Sequence, residues 1–225
     1  MTSDSRADAT LAVVARAPTP GRCKTRLHPR LSPQEAATFY QAMLLDTLDA
    51  LSEVTCGRRV VLAAPEDDGV ARLRELVPAV WEVISQRGAD LGERLANGMR
   101  DLSLSEKALA LVGSDAPTMP ISAISAALGS MGPSPRALLG ASEDGGYYLI
   151  AMNVLELDVF NGISWSTPMV AEQTRVRLRE LALPWDELPI AIDIDTPADL
   201  DRLRAELSRR PGVALRCATL LGIRT

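Results

Sequence analysis

Arg16, Arg22, Lys24 and Arg26 crowd residues 15–27, A-R-A-P-T-P-G-R-C-K-T-R-L. With one glycine, Gly21, and two prolines, this run is neither a Walker loop nor a G-x-G-x-x-G turn. Ala15 ends an apolar stretch, so the cations follow directly on a strand. A turn-rich loop there offers backbone N–H groups and positive charge together, which suits a di- or triphosphate. The same composition also describes a solvated basic loop.

Carboxylates supply the complementary chemistry. Asp115 lies in residues 113–120, G-S-D-A-P-T-M-P, directly after Gly113 and Ser114. There it can hold a metal that bridges phosphate oxygens, or cap the next turn. Asp193 and Asp195, in D-I-D, can complete such a site, though Asp195 also stands where a helix cap would. Residues 143–148, E-D-G-G-Y-Y, bring Asp144, Gly145, Gly146 and Tyr147 together. The acidic pair can take hydroxyls or amines and the glycines admit a ligand to the backbone. Asp-Gly equally signals a hairpin turn. Gln86, opening Q-R-G-A-D-L-G-E-R-L, can contact a base or sugar, or belong to a solvated loop. Trp165, in S-W-S-T-P, can stack on an acceptor or pack a helix start.

Other chemistries are excluded. His28 is the only histidine, so a resident metal needs carboxylate ligands, which favour Mg²⁺ or Mn²⁺. Cys23, Cys56 and Cys217 form no C-x-x-C pair and read as reduced thiols. With His28 alone nearby, neither a cysteine nucleophile nor a serine triad is expected. A net charge of −5 argues against a nucleic-acid polymer as partner. No apolar run approaches the roughly 20 residues of a membrane span. Residues 1–10, with Asp4 and Asp8, lack the pattern of a secretory signal, so a cytoplasmic location is expected.

These residues need a scaffold that gathers them. Apolar runs predict strands at 11–15, 60–64, 81–84, 108–112, 137–140, 147–152 and 190–194. Helical spacing predicts helices at 32–51, 70–76, 91–102, 121–128, 170–181 and 197–207. In the first, S-P-Q-E supplies a capping box, and Phe39, Tyr40, Met43, Leu44, Leu48 and Leu51 form one apolar face. The alternation predicts a three-layer α/β/α sandwich with a mainly parallel sheet. One domain over 1–225 is expected, with a flexible segment at 1–9. Ligands in such sheets bind beyond the carboxyl ends of the strands, where the segments above fall.

In order, A-R-A-P-T-P-G-R-C-K-T-R-L, Q-x-G-x-D-L-G-E-R-L, G-S-D-A-P-T-M-P, E-D-G-G-Y-Y-L-I, W-S-T and D-I-D-T-P-A-D-L resemble the family called rSAM/selenodomain-associated transferase 1, over about residues 11–207. The resemblance implies the glycosyltransferase-A fold of the nucleotide-diphospho-sugar transferase superfamily. More distant likeness to guanylyltransferases of that fold implies Lys24 on phosphates and Asp115 on a metal, with Asp195 ahead of Asp193 as second metal ligand. Gly21 departs from that pattern, standing alone where many nucleotidyltransferases carry several glycines.

The leading expectation is glycosyl transfer from a nucleotide-diphospho-sugar to a small acceptor near Asp144, Tyr147 and Trp165. Nucleotidyl transfer from a triphosphate comes second, and a nucleotide-binding module without catalysis third. Lys24, Asp115 and Asp144 are the expected catalytic residues. Ala15, Arg16, Gly21, Lys24, Arg26, Gln86, Gly113, Ser114, Gly145, Gly146, Tyr147 and Trp165 are the expected substrate contacts.

Overall fold

Seven strands form one sheet in the order β3-β2-β1-β4-β6-β5-β7. They are β1 (Ala9–Ala15), β2 (Arg58–Ala63), β3 (Glu82–Ser85), β4 (Ala108–Gly113), β5 (Ala137–Ala141), β6 (Tyr147–Met152) and β7 (Trp185–Glu187). The computed structural model describes residues 9–102 and 108–224. The segment expected to be flexible, with Asp4 and Asp8, therefore lies outside the described residues, except that Ala9 begins β1. Only β6 runs antiparallel to its neighbours, because a tight turn at 142–146 reverses the chain from β5. The remaining pairs are parallel, as the alternation of elements predicts.

The helices are α1 (Pro33–Ser52), α2 (Gly69–Leu76), α3 (Leu91–Leu102), α4 (Ile121–Ser130), α5 (Val170–Glu180), α6 (Pro197–Arg209) and α7 (Leu215–Leu220). None among the described residues is long and apolar enough to cross a membrane. Residues alternate across each strand, so the sheet has two apolar faces. Leu11, Val13, Val61, Ala110 and Val112 face Leu44 and Leu48 of α1, Leu73 of α2 and Ile124 of α4. Ala12, Val60, Leu62 and Leu111 face Leu95 and Met99 of α3 and Leu178 of α5. This is the three-layer sandwich.

Three expectations need correction. The apolar residues of α1 do not form one face. Leu44, Leu48 and Leu51 meet the sheet, whereas Phe39, Tyr40 and Met43 pack with α6 and α7 in a third core. The capping box at its start is present, with Glu35 N–H donating to Ser32 Oγ at 3.3 Å and Ser32 N–H to Glu35 Oε2 at 2.8 Å. Residues 190–194 are not a strand. After a single bridge from Ala191 to Ser142, the chain leaves β5, and Ile194 N–H donates to the Asp115 carbonyl at 3.0 Å, so no ladder continues. The edge strand is instead β7, whose W-D-E sequence carries no apolar alternation.

The third correction is α7, which the sequence pattern did not predict. Asp46, buried in α1, accepts the backbone N–H groups of Arg216 at 3.2 Å and Cys217 at 2.9 Å, and the Arg216 guanidinium at 3.1 Å. Its carboxylate thus satisfies N–H groups of a short helix that cannot satisfy them internally. Asp46→Ala should cost about 3 kcal/mol by denaturant unfolding, since buried donors lose their acceptor. A cost below about 1 kcal/mol would mean that apolar contacts alone dock α7.

Candidate functional site

The loop after β1 is shaped by two left-handed residues. Arg22 N–H closes a turn onto the Thr19 carbonyl at 3.0 Å, with Gly21 at φ +75°. Lys24 also sits at positive φ, 48°, a conformation that costs a residue with a Cβ roughly 1–2 kcal/mol. Cys23 and Leu27, on either side, are buried in the core formed with α1 and α6. Those anchors hold the backbone while the Lys24 side chain turns back over the sheet edge.

Its ammonium ends between two carboxylates. Nζ lies 2.7 Å from Asp195 Oδ1 and 3.1 Å from Asp115 Oδ1, with the lysine side chain only 5% exposed. Burial alone would lower its pKa, but the two carboxylates outweigh it and hold the ammonium above its ordinary range. Arg26 stands at the rim, 3.6 Å from Asp195 Oδ2. Neither carboxylate serves as a cap. Thr196 is the N-cap of α6, and Asp199 accepts from its N–H at 2.8 Å, leaving the Asp195 carboxylate to Lys24.

Tyr40 ties three elements together beneath this cluster. Its hydroxyl accepts from Arg16 N–H at 3.2 Å and shares a hydrogen bond with Ser114 Oγ at 2.9 Å. Burial pushes its pKa up to about 12, so it stays protonated. Asp193 faces the same space and accepts from Ser142 Oγ at 3.0 Å. Burial, with Asp115 and Asp144 adding to it, pushes its pKa up to about 7, against the opposing Ser142 hydrogen bond and Lys24. Cys23 donates to the Thr19 carbonyl at 3.3 Å, and burial raises its thiol, which does not suit a nucleophile.

These groups line a cavity of about 890 Å³ at the carboxyl ends of β1 and β4. Ala15, Arg16, Arg26, Gln86, Gly113, Ser114, Asp144, Gly146, Tyr147 and Trp165 line it as well, so most of the expected site is gathered in one place. Gly21 and Gly145 are not among its lining residues. Gly145, at φ +89°, packs against Pro168, whose carbonyl oxygen would lie 2.0 Å from an added Cβ, and its own carbonyl accepts from Ala171 N–H. Here the glycine serves a hairpin turn seated on α5. The Gln86 amide is turned to the framework, donating to the Leu62 carbonyl at 2.6 Å and the Ala15 carbonyl at 3.4 Å.

The far wall is aromatic. Tyr147 and Trp165 meet edge to face at 6.3 Å, and the buried Tyr147 hydroxyl has no hydrogen-bond partner among the described residues. Ser166, next to Trp165, sits at φ 62°. Tyr40, Arg94 and Ser166 line the cavity without having been singled out from the sequence. Arg94 and Ser166 fall inside the Q-x-G-x-D-L-G-E-R-L and W-S-T motifs, whereas Tyr40 sits in an apolar helical pattern with only its polar tip as a signal.

Among the described residues, no three histidine, cysteine or acidic side chains gather as a metal cage. The donor set still fits a hard cation, because Mg²⁺ is held by one or two carboxylates together with substrate phosphates. Asp115 and Asp195, both within reach of Lys24 Nζ, are the carboxylates that could hold such a cation.

The sequence profile of a family described as "Uncharacterized protein conserved in bacteria (DUF2064)" matches residues 47–167, more than half of the chain. The chain belongs to this DUF2064 family. No curated protein matches it. Among solved structures, a Desulfovibrio desulfuricans G20 protein, provisionally described as a nucleotide-diphospho-sugar transferase, is similar to this DUF2064 chain over 96% of each chain, with 28% identity and a TM-score of 0.85. A CMP:2-keto-3-deoxy-manno-octonic acid synthetase complexed with CTP covers 91% of this chain and 100% of its own, at 16% identity and a TM-score of 0.57. Rv0371c of Mycobacterium tuberculosis H37Rv, in complex with manganese, covers 87% and 97%, at 14% identity and a TM-score of 0.56. The last two share the fold.

Asp193 makes a pH prediction. Its folded pKa lies above the ordinary carboxylate value, so the folded state binds the extra proton between the two values. Stability is therefore greatest on the acid side and falls as pH rises towards 7. Asp193→Asn should flatten this decline in metal-free protein followed by urea unfolding from pH 5 to 8. Equal slopes for both proteins would contradict the assignment.

Proposed function

We propose that this DUF2064 protein is a metal-dependent transferase that uses a nucleotide-linked donor, moving a glycosyl group from a nucleotide-diphospho-sugar to a small acceptor. The observation that carries the reading is the Lys24 ammonium between Asp115 and Asp195, at the carboxyl edge of a parallel sheet and open to a large cavity. Ligands of open α/β sheets bind at that edge. The similarity to the Desulfovibrio protein supports it, as does the resemblance of six ordered motifs to rSAM/selenodomain-associated transferases.

Lys24 and Arg26 would place two positive charges on the donor diphosphate. Asp115 and Asp195 would hold Mg²⁺ or Mn²⁺, whose positive charge stabilises a leaving diphosphate. One Asp144 oxygen is occupied by Gly146 N–H at 2.9 Å, which orients the other to accept from an acceptor hydroxyl. Tyr147 and Trp165 would form the apolar wall for that acceptor, excluding water. Cysteines that form no disulfide among the described residues fit a reducing compartment, which supports a cytoplasmic location.

A second reading, nucleotidyl transfer from a triphosphate, is favoured by the basic loop itself. Arg16 and Arg26 flank Lys24 on the cavity wall, more positive charge than a diphosphate requires. Thermal stabilisation by Mg²⁺ with each nucleotide-sugar and each triphosphate separates the two. Glycosyl transfer predicts a larger shift with one nucleotide-sugar than with any triphosphate, and stabilisation by triphosphates alone would overturn it. Asp115→Ala should abolish Mg²⁺-dependent nucleotide binding while leaving the fold intact. Lys24→Ala should weaken a nucleoside diphosphate about tenfold or more relative to the nucleoside. Equal losses for both ligands would remove Lys24 from the phosphate site.

A further inference from the structure

Lys24 stands where a divalent cation would have to bind. Its Nζ contacts the Oδ1 atoms of both Asp115 and Asp195, at 3.1 and 2.7 Å. A magnesium ion takes its oxygens at about 2.0–2.1 Å, so an ion on the same two atoms would press against the ammonium. Two cations in contact in a partly desolvated site repel strongly. The lysine is only 5% exposed, whereas the carboxylates are 43% and 35% exposed, so the ammonium sits beneath them and already neutralises much of their charge. A metal arriving alone would meet two engaged carboxylates that, among the described residues, gather with no third histidine, cysteine or acidic side chain as a metal cage.

We propose that Lys24 is an internal counter-ion that keeps divalent metal out of the nucleotide-free site, and that a diphosphate admits the metal by drawing the ammonium off Asp115 and Asp195. This rests on the assignment of those two carboxylates to the metal. Lys24 lines the cavity that a phosphate would enter, so its ammonium need only exchange carboxylate oxygens for phosphate oxygens a short distance away. The freed carboxylates then offer two ligands and the phosphates supply others. Metal and phosphate consequently favour each other's binding by the same factor, as linkage requires. The αL backbone at Lys24, pinned by buried Cys23 and Leu27, keeps the ammonium near both destinations.

The test uses Mn²⁺ alone. Calorimetric titration of metal-stripped protein should show Lys24→Met binding Mn²⁺ about tenfold or more tightly than wild type, a coupling of ordinary size. Adding Asp115→Asn to that variant should remove the gain, placing it at this pair. Mn²⁺ affinity in Lys24→Met equal to or below that of wild type would overturn the proposal. If circular dichroism shows that the methionine variant is unfolded, Lys24→Gln replaces it with the same expectation.

The wild-type protein gives an independent arm. Mn²⁺ with inorganic pyrophosphate should raise its melting temperature more than the two separate shifts combined. Stabilisation by Mn²⁺ alone as large as that with pyrophosphate would also overturn the proposal. If no nucleotide stabilises the protein but Lys24→Met still gains Mn²⁺ affinity, the counter-ion role stands and the transferase reading falls.

Discussion

One buried ammonium organises the functional edge of this molecule. Lys24, Asp115 and Asp195 come from three distant segments, and each has reasons not to be where it is. The lysine is desolvated and left-handed in backbone, and the two carboxylates repel each other. Only together do these costs cancel, because a buried charge is tolerated when it is paired. The pairing therefore also fixes the loops: the one after β1, the one after β4, and the one entering α6. A backbone bond from Ile194 to Asp115 and the Tyr40 hydroxyl on Arg16 and Ser114 brace the same three segments.

The rest of the fold supplies the rigidity on which this arrangement draws. Parallel strands β1 and β4 lie side by side, so their carboxyl ends deliver Ala15 and Gly113 to adjacent positions. Helix α1 has apolar contacts on two sides, meeting the sheet with Leu44 and Leu48 and the C-terminal helices with Phe39 and Met43. The basic loop inserts Cys23 and Leu27 into the second of these cores, leaving Arg22 and Arg26 exposed and the Lys24 side chain buried against Asp115 and Asp195. Gly145 meets Pro168 and Gly92 meets the Trp165 indole, so these close approaches shape the aromatic wall of the cavity from behind.

Much of this was legible in the sequence, because apolar runs and capping chemistry are local signals. The strand at 147–152 and the helix at 91–102 match the observed elements, and the capping box at Ser32 is formed. The failures arise where nonlocal contacts decide. Residues 190–194 look like a strand, yet their hydrogen bonds go partly to the loop holding Asp115. Helix α7 is stabilised by Asp46 from α1, a partner that no local window contains. Among the site residues, charge and position marked Lys24, Asp115 and Asp195, whereas Tyr40 was concealed by its place in an apolar helical pattern. The paired glycines at 145–146 suggested contact with a ligand. Gly145 instead packs against Pro168, while Gly146 lines the cavity.

In the proposed function, the place now held by the Lys24 ammonium is taken by a phosphate-bound metal. Anomalous diffraction from crystals grown with Mn²⁺ and a nucleoside diphosphate locates the metal directly. The expected result is a manganese peak coordinated by Asp115 and Asp195, with Lys24 Nζ moved onto a phosphate oxygen. Manganese bound elsewhere, or Lys24 still bridging both carboxylates beside an ordered nucleotide, would contradict it.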